Sequence, residues 1–286
     1  MVKKYGELYL RARRALLPVE GEQAAYAARE LLALASGKSA AAVLADRELY
    51  ASEAIEERLQ GYVDRMLQNE PLAYILGSWS FYGLDFSVGP GVLIPRDDTM
   101  AVTDLALEYL RGRPAPQRAL DLCTGSGCIG AVLAHQLPSA HITEADVSRD
   151  ALAAAKQNIH ALHLQARVAL LALDVRRPSP GYLGSFDVIV SNPPYVTAEQ
   201  MAQLPPSVRD YEPALALDGG GDGLQFYRDI VQNYAPRLLP DGAFCFEFGM
   251  GQHTAVGQIL RDAGFSRLTF RNDLRGVIRA VRAEKE

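Results

Sequence analysis

Residues 120–130 read LDLCTGSGCIG, an apolar run that ends in a glycine-rich turn and leads into a second apolar run. The first run is typical of a buried strand and the second of the start of a helix. Gly125 and Gly127 permit backbone conformations that a Cβ would forbid, and they let a ligand approach the main chain closely. With Gly130 they match G-x-G-x-x-G, a dinucleotide fingerprint that is weak when it stands alone. The segment predicts a strand, a ligand-binding turn and a helix, in that order.

The sequence around this segment extends it into an α/β domain. From about residue 100 onward, short apolar strands alternate with helical stretches, which predicts a mostly parallel, doubly wound sheet with helices on both faces. The predicted strands are residues 119–123, 141–146, 168–173, 186–191, 243–248, 268–271 and 277–281. The predicted helices are residues 127–136, 150–162, 223–238 and 251–263.

The chain before this domain has a helical period. Leu59 and Val63 belong to an apolar series with steps of three and four residues, and Pro71 is predicted to end that helix. Similar spacing upstream predicts a small helical bundle over residues 1–75. Aromatic residues and glycines then crowd together, and we expect a hairpin linker over residues 76–98.

Composition and charge exclude several classes of protein. The 286 residues carry 34 acidic and 29 basic side chains, a net charge of −5, whereas a dedicated nucleic-acid binder needs a basic excess. The longest apolar runs fall far short of the roughly 20 residues of a membrane span. The N-terminus lacks the apolar core of a signal peptide, so we expect a soluble, cytoplasmic protein without a membrane partner. The three cysteines lack metal-binding spacing, which predicts reduced thiols and no metal site.

Two acidic residues near the glycine turn indicate which ligand it binds. Asp146 ends the next predicted strand, about 20 residues past the turn, where a carboxylate can accept hydrogen bonds from both ribose hydroxyls. Asp121 precedes the glycines, where it would repel a pyrophosphate but suit a ligand with an ammonium group and a sulfonium. This favours S-adenosylmethionine over NAD. The alternative for Asp121 is a residue that ties down its own turn.

A second motif, Asn-Pro-Pro-Tyr at residues 192–195, follows the fourth predicted strand. The two prolines fix two φ angles and remove two N–H donors, so the carbonyls remain as acceptors. A planar NH₂ group can donate one hydrogen to the Asn192 side-chain oxygen and one to the Pro193 carbonyl, while Tyr195 stacks on the group or excludes water. Such acceptors stabilise the charge that develops on nitrogen and orient its lone pair, so methyl transfer needs no strong base or metal. The alternative interpretation of this motif is a rigid turn after the strand, with no role in binding.

Residues 71–282 resemble the family of protein N5-glutamine methyltransferases, and most closely its release-factor branch. The segments that carry the resemblance are PLAYILG at 71–77, GVLIPRDDT at 91–99, NPPY at 192–195, YEP at 211–213, AL at 216–217, GG at 219–220 and DGL at 222–224. The resemblance implies a seven-stranded class I S-adenosylmethionine-dependent methyltransferase domain over residues 99–286. It also implies that the helical bundle of residues 1–75 docks the substrate.

The resemblance further implies a reaction and a partner. The substrate is the glutamine of the Gly-Gly-Gln motif in class I peptide chain release factors, S-adenosylmethionine is the cofactor, and S-adenosylhomocysteine is the product. We expect a monomer that binds no nucleic acid directly. Three alternatives stay open: a glutamine of a ribosomal protein, an exocyclic amine such as adenine N6 in DNA or RNA, and a non-catalytic module that binds S-adenosylmethionine or NAD. The intact motif at residues 192–195 argues against the last.

Site residues are assigned partly from these motifs and partly from the resemblance. The expected cofactor contacts are Asp121, Thr124, Gly125, Gly127, Asp146, Val147, Asp174 and Asn192. The expected catalytic residues are Asn192, Pro193 and Tyr195, and the expected substrate contacts are Asn192, Pro193, Pro194, Tyr195, Arg96 and Glu247. Arg96 could instead belong to a structural ion pair, and Glu247 could be a buried structural carboxylate.

The chain departs from the family at two positions. Met100 stands where the family usually has an acid, so no role is carried over to it. Val175 stands where the family often has an aromatic residue, which leaves the stacking partner of adenine open.

Overall fold

The computed structural model describes residues 2–285 and divides them into two compact units. The helical unit comprises the chain up to Ser78 together with Pro205–Tyr211. The sheet unit comprises Trp79–Leu204 and the chain from Glu212 onward. No helix in residues 2–285 is both long enough and apolar enough to cross a membrane.

The helical unit contains short and medium-length helices around one apolar core. They are α1 (Tyr5–Glu20), α2 (Ala24–Ser36), α3 (Ala40–Ala45), α4 (Glu53–Leu67) and α5 (Leu72–Leu76), and the later α10 (Pro206–Arg209) also belongs to this unit. Leu8, Leu16 and Leu31 are completely buried in the core, as the spacing predicts. The prediction that Pro71 ends α4 is wrong. The helix ends at Leu67, because Asn69 adopts a left-handed φ of 67°.

The sheet unit contains nine strands and the remaining helices. The strands are β1 (Ser78–Phe81), β2 (Leu84–Ser87), β3 (Arg118–Leu122), β4 (His141–Asp146), β5 (Val168–Ala172), β6 (Phe186–Ser191), β7 (Leu238–Glu247), β8 (Arg267–Asn272) and β9 (Ile278–Glu284). The helices are α6 (Met100–Arg111), α7 (Cys128–Gln136), α8 (Arg149–Ala161), α9 (Ala198–Met201), α11 (Gln225–Tyr234) and α12 (His253–Asp262). Strands β1 and β2 pair in a two-stranded sheet of their own, within the stretch predicted to form a hairpin.

The other seven strands form one sheet in the order β5-β4-β3-β6-β7-β9-β8. Strands β3 to β7 are mutually parallel, whereas β9 pairs antiparallel with both β7 and the edge strand β8. The chain enters the sheet at β3, winds outward to β5 and returns to β6, so the winding direction reverses between β3 and β6. This confirms the predicted doubly wound, seven-stranded sheet. Strand β7 begins earlier than predicted, because Leu238 pairs with Phe186 ahead of a bulge.

Helices cover both faces of this sheet. Every residue of β6 is buried, as expected for a central parallel strand. Val188 and Val190 pack with α6 and α7, whereas Ile189 between them packs with α11 and α12 on the opposite face. The alternation therefore determines which side of the sheet each strand residue faces.

Candidate cofactor and acceptor site

An open cleft of about 980 Å³ lies beside the carboxyl ends of β3, β4, β5 and β6. This is the place where the winding of the sheet reverses, and ligands of doubly wound sheets bind there. The cleft brings together eight residues assigned from the sequence. They are Arg96, Thr124, Gly125, Asp146, Val147, Asp174, Asn192 and Pro194. Asp121, Gly127, Pro193, Tyr195 and Glu247 are not among the described residues that line it.

The glycine turn closes tightly over β4. Gly125 and Gly127 have φ angles of 57° and 80°, in the region that favours glycine. The Gly125 N–H donates to Asp146 Oδ2 at 3.0 Å. A Cβ on Gly127 would lie only 2.7 Å from Glu144 Oε2, so a side chain there would displace the turn. The predicted turn is present, but Gly127 packs against the strand beneath it.

Asp121 holds the turn from below. Its Oδ2 accepts a hydrogen bond from the Thr124 hydroxyl at 2.6 Å and another from the Gly130 N–H at 3.1 Å. The residue is completely buried on the α7 side of the sheet, which corresponds to the alternative that it ties down its own turn. Burial raises the pKa of Asp121 to about 7. Glu144, its partner on β4, is also completely buried, and burial raises its pKa well above the usual range.

Asp146 faces the cleft in a fixed orientation. Besides the Gly125 N–H, it accepts the Ser148 N–H on Oδ1 at 2.9 Å. Burial raises the pKa of Asp146, and these backbone donors oppose that shift. Each carboxylate oxygen has a second lone pair, so the group can still accept hydrogen bonds from a vicinal diol. Val147, half-exposed, lines the cleft next to it.

The far wall of the cleft combines one acid with apolar side chains. Asp174 accepts from Arg176 Nε at 3.0 Å and Nη2 at 3.2 Å, and these bonds hold the pKa of Asp174 below its usual value. Val175 is buried and also lines the cleft. Phe226, in the first turn of α11, is an aromatic lining residue that the sequence reasoning missed. The one feature of the sequence that could have indicated Phe226 is its position just after the DGL segment.

The loop after β6 forms the other end of the cleft. The Ser191 hydroxyl donates to the Leu122 carbonyl at 2.6 Å and fixes the end of β6 against β3. Asn192 lines the cleft, and its Nδ2 donates to Thr99 Oγ1 at 3.3 Å. Pro193 and Pro194 are both buried, and of the two Pro194 lines the cleft.

Tyr195 is hydrogen-bonded to Glu247 instead of lining the cleft. Its hydroxyl donates to Glu247 Oε1 at 3.4 Å. Glu247, the last residue of β7, is 1% exposed, which corresponds to the alternative of a buried structural carboxylate. Burial raises the pKa of Glu247 to about 7, and hydrogen bonds from the Thr99 and Tyr195 hydroxyls oppose that shift. Burial also raises the pKa of Tyr195.

The glycines at 219 and 223 hold the backbone of this loop. The Val196 N–H donates to Leu217 O and the Gly219 N–H donates to Val196 O, both at 2.9 Å. A Cβ on Gly219 would lie 2.6 Å from Tyr195 Cα, so only glycine allows this approach. Gln252, which no motif indicated, donates from Nε2 to the Tyr195 carbonyl at 3.1 Å.

Arg96 forms an ion pair with Glu212 while it lines the cleft. The Glu212 carboxyl is almost completely buried and also accepts the Ile94 N–H at 3.1 Å. Two sequence segments that carry the resemblance, 91–99 and 211–213, thus meet in one ion pair. Within residues 2–285, no group of three or more His, Cys, Asp or Glu side chains is placed to hold a metal ion, and all three cysteines are free.

Two family models match the chain. The model described as PrmC N-terminal domain matches residues 7–77, and the model described as Methyltransferase small domain matches residues 84–205. The release factor glutamine methyltransferase of Bradyrhizobium diazoefficiens is 38% identical over 267 residues, covering 92% of this chain and 89% of the relative. That of Geobacter sulfurreducens is 43% identical, and the match covers 78% of this chain and 76% of the relative. That of Bordetella pertussis is 40% identical, and the match covers 88% of this chain and 92% of the relative.

Solved structures share the fold at lower identity. A methyltransferase from Pyrococcus furiosus matches with a TM-score of 0.51 and 18% identity, covering 79% of this chain and 98% of that one. The catalytic domain of hMettl16, solved with a MAT2A 3'UTR hairpin, matches with a TM-score of 0.57 and 19% identity, covering 71% and 76%. At these identities the likeness shows the fold alone.

Proposed function

The chain belongs to the family of release factor glutamine methyltransferases, and from this premise we propose that its substrate is the glutamine of the Gly-Gly-Gln motif in class I peptide chain release factors. The reaction transfers a methyl group from S-adenosylmethionine to the amide nitrogen, N5, of that glutamine and yields S-adenosylhomocysteine. The observation that carries the proposal is that Asp146 and Asn192 line the same cleft. A group that can hold a ribose therefore stands beside a group that can hold an amide.

The residues of the cleft fit S-adenosylmethionine. Asp146 is held by two backbone donors and can accept the ribose hydroxyls. Leu173, Val175 and Phe226 offer an apolar wall for adenine, and Gly125 lets the methionine portion approach the main chain.

The chemistry depends on activation of a weak nucleophile. S-adenosylmethionine supplies an electrophilic methyl group on its sulfonium. The amide nitrogen attacks poorly because its lone pair is delocalised into the carbonyl. Asn192 Oδ1 and the Pro193 carbonyl accept its two hydrogens, stabilise the positive charge that develops on nitrogen, and direct the lone pair toward the methyl group. The N–C bond forms as the S–C bond breaks, and one amide proton leaves to solvent.

The test uses methyl-labelled S-adenosylmethionine with purified release factor and with a Gln→Ala variant of its Gly-Gly-Gln motif. We expect label on the first protein and not on the second. Asn192→Ala should lower kcat by about 10²- to 10³-fold without unfolding the protein, since one preorganised acceptor is lost. Asn272→Ala, which removes an exposed asparagine at the end of β8, is the matched control. Full turnover by Asn192→Ala would exclude the role given to Asn192.

The same assay separates the alternatives. Label on a ribosomal protein and none on a release factor would favour the related branch of the family. Salt-sensitive label on DNA or RNA alone would favour amine methylation of a base, although the net charge of −5 argues against a phosphate-binding surface. Binding of S-adenosylmethionine with no transfer to any of these substrates would favour the non-catalytic module.

The helical unit is the proposed docking domain for the release factor. Helix α1 exposes Leu10 and Leu17, which are 56% and 54% exposed and lie two turns apart on one face. Leu10→Asp with Leu17→Asp should raise KM for the release factor and leave S-adenosylmethionine affinity unchanged. An unchanged KM would exclude this face. The proposed location is the cytoplasm, and the proposed oligomeric state is a monomer.

A further inference from the structure

We propose that Thr99 and Glu247 position the side-chain amide of Asn192, so that its oxygen and not its nitrogen faces the substrate amide. The inference rests on the proposed function, because it concerns how Asn192 receives the glutamine. Thr99 is the last residue of the segment 91–99, but no role was assigned to it, and Glu247 was expected only as a substrate contact. Thr99 lines the cleft beside the acceptor loop, which we define as residues 192–195, whereas Glu247 lies behind this loop. Both side chains are almost completely buried.

An asparagine amide has two ends of nearly equal shape and opposite hydrogen-bonding character. The substrate amide nitrogen carries two hydrogens, so only Oδ1 of Asn192 can receive one of them. With the amide rotated by half a turn, Nδ2 would face the substrate donor with a second donor. The bond from Asn192 Nδ2 to Thr99 Oγ1, at 3.3 Å, directs the nitrogen toward Thr99. The amide oxygen, Oδ1, therefore points away from Thr99.

Thr99 is itself fixed. It ends the 3₁₀ turn Asp97–Thr99 directly before α6, where its carbonyl accepts the Thr103 hydroxyl at 2.9 Å. The side chain is 2% exposed, so water does not compete for its hydroxyl. A hydroxyl that accepts from Asn192 must send its own proton to another acceptor. If that proton turned toward Asn192 instead, the amide would be held in the wrong orientation.

Glu247 is the acceptor for that proton. Its carboxyl group accepts a hydrogen bond from the Tyr195 hydroxyl at 3.4 Å, and hydrogen bonding from the Thr99 hydroxyl opposes the rise of the Glu247 pKa. In its ionised form the carboxylate can only accept. When Glu247 is ionised, the Thr99 hydroxyl therefore directs its proton to Glu247, and its lone pairs are left for Asn192. The charged residues that act on Glu247 are Asp98 and Arg279, which pair with each other at 3.2 Å.

The four side chains form one connected path from the core to the cleft. Glu247 comes from β7, Thr99 from the turn before α6, and Asn192 and Tyr195 from the loop after β6. Glu247 therefore acts at two points of the acceptor loop, through Thr99 on Asn192 and directly on the Tyr195 hydroxyl. Thr99 and Glu247 are positioning residues, since each acts on the substrate only through a residue of the acceptor loop.

The test compares isosteric variants. Thr99→Val removes the hydroxyl and keeps the shape, Thr99→Ser keeps the hydroxyl, and Glu247→Gln offers a donor where Thr99 needs an acceptor. Thr143→Val is the matched control, because it removes the hydroxyl of a partly buried threonine on β4 that does not line the cleft. We expect Thr99→Val to lower kcat by about 10- to 100-fold, with unchanged KM for the release factor and unchanged affinity for S-adenosylmethionine. Thr99→Ser should restore kcat to within about threefold of the unmodified protein, and Glu247→Gln should lower it.

A second readout does not depend on activity. In ¹⁵N-labelled protein, the side-chain NH₂ signals of Asn192, assigned by their loss in Asn192→Ala, should shift and exchange faster with solvent in Thr99→Val but not in Thr143→Val. Unmoved signals, or equal kcat in the two valine variants, would overturn the proposal. Equal loss of kcat in Thr99→Val and Thr99→Ser would overturn it as well, because packing would then be the cause. If the unmodified protein methylates no release factor, the proposed function fails, while the NH₂ signals still decide the positioning.

Discussion

The guanidinium of Arg96 lies against the carboxyl group of Glu212, which is almost completely buried, whereas Arg96 itself is 40% exposed. Removal of the arginine leaves a buried carboxylate without its counter-charge, and this destabilises a protein more than loss of a surface pair does. Arg96→Ala should therefore lower the free energy of unfolding by about 2 kcal/mol, measured by urea denaturation.

The control for this prediction is an exposed ion pair. Arg209 pairs with Asp210, and both side chains are about half exposed. Arg209→Ala should change the free energy of unfolding by less than about 0.5 kcal/mol. Equal effects of the two substitutions would mean that Glu212 gains nothing from Arg96.

Gly127→Ala should destabilise the protein for two separable reasons. The φ of 80° strains any residue with a Cβ, and that Cβ would lie 2.7 Å from Glu144 Oε2. We expect a loss of about 2–3 kcal/mol in the unmodified background and about 1 kcal/mol in a Glu144→Ala background, where the strain and the approach of 3.2 Å to the Ala155 Cβ remain. A double-mutant cycle on unfolding free energies measures the difference. Equal losses in both backgrounds would show that Glu144 moves aside freely.

Asp146→Asn should weaken S-adenosylmethionine binding by about 10- to 100-fold, measured by calorimetry. The substitution removes the charge that holds the ribose hydroxyls. It also places an NH₂ group against the N–H of Gly125 or of Ser148, since each carboxylate oxygen now accepts one of them. Asp150→Asn is the control, because Asp150 is exposed and does not line the cleft. Unchanged affinity in Asp146→Asn would refute the ribose role.

Asp121 makes stability depend on pH. Burial raises its pKa from 3.8 to about 7, so the folded protein holds a proton that the unfolded chain has lost over this interval. The stability that the protonated Asp121 contributes to the folded protein is fully present below about pH 4 and is lost as the pH rises to about 7. The stability of Asp121→Asn relative to the unmodified protein should therefore increase across this window, by at most about 4 kcal/mol, and level off above it.

The measurement is urea denaturation at a series of pH values. Asp85→Asn, which changes an exposed aspartate on β2, serves as the control, and its difference from the unmodified protein should stay flat. A difference for Asp121→Asn that does not vary with pH would contradict the prediction.

Much of this architecture was predictable because its causes are local. Buried parallel strands are rich in apolar residues, so β3 and β6 are visible in the sequence, and the alternation with helices indicates β4 and the edge strand β5. Asp146 and Asn192 end or directly follow such runs, and the carboxyl ends of parallel strands share one edge of the sheet. Their presence in one cleft follows from the topology alone.

The rest depends on contacts that the sequence does not encode locally. A position at the end of a strand specifies the edge of the sheet but not the face, so Asp121 and Glu247 were expected in the cleft and lie behind it. Thr99 and Asn192 meet across 93 residues of chain. Phe226 reaches the cleft only because α11 packs beside it, and no motif encodes that packing.

The position of β3 next to β6 has a consequence for how such proteins diversify. The proposed ribose, adenine and methionine contacts come from residues 120–176 and Phe226, whereas the proposed contacts of Asn192 and Pro193 to the methyl acceptor come from the loop after β6. Because β4 and β5 intervene in the chain, most of the donor pocket and the acceptor loop are separate segments. They are joined where β6 pairs with β3 and the Ser191 hydroxyl donates to the Leu122 carbonyl. If only the loop after β6 is exchanged and the contact between Ser191 and Leu122 is kept, we expect a chimaera that retains its methyl donor. Its acceptor specificity should come from the new loop.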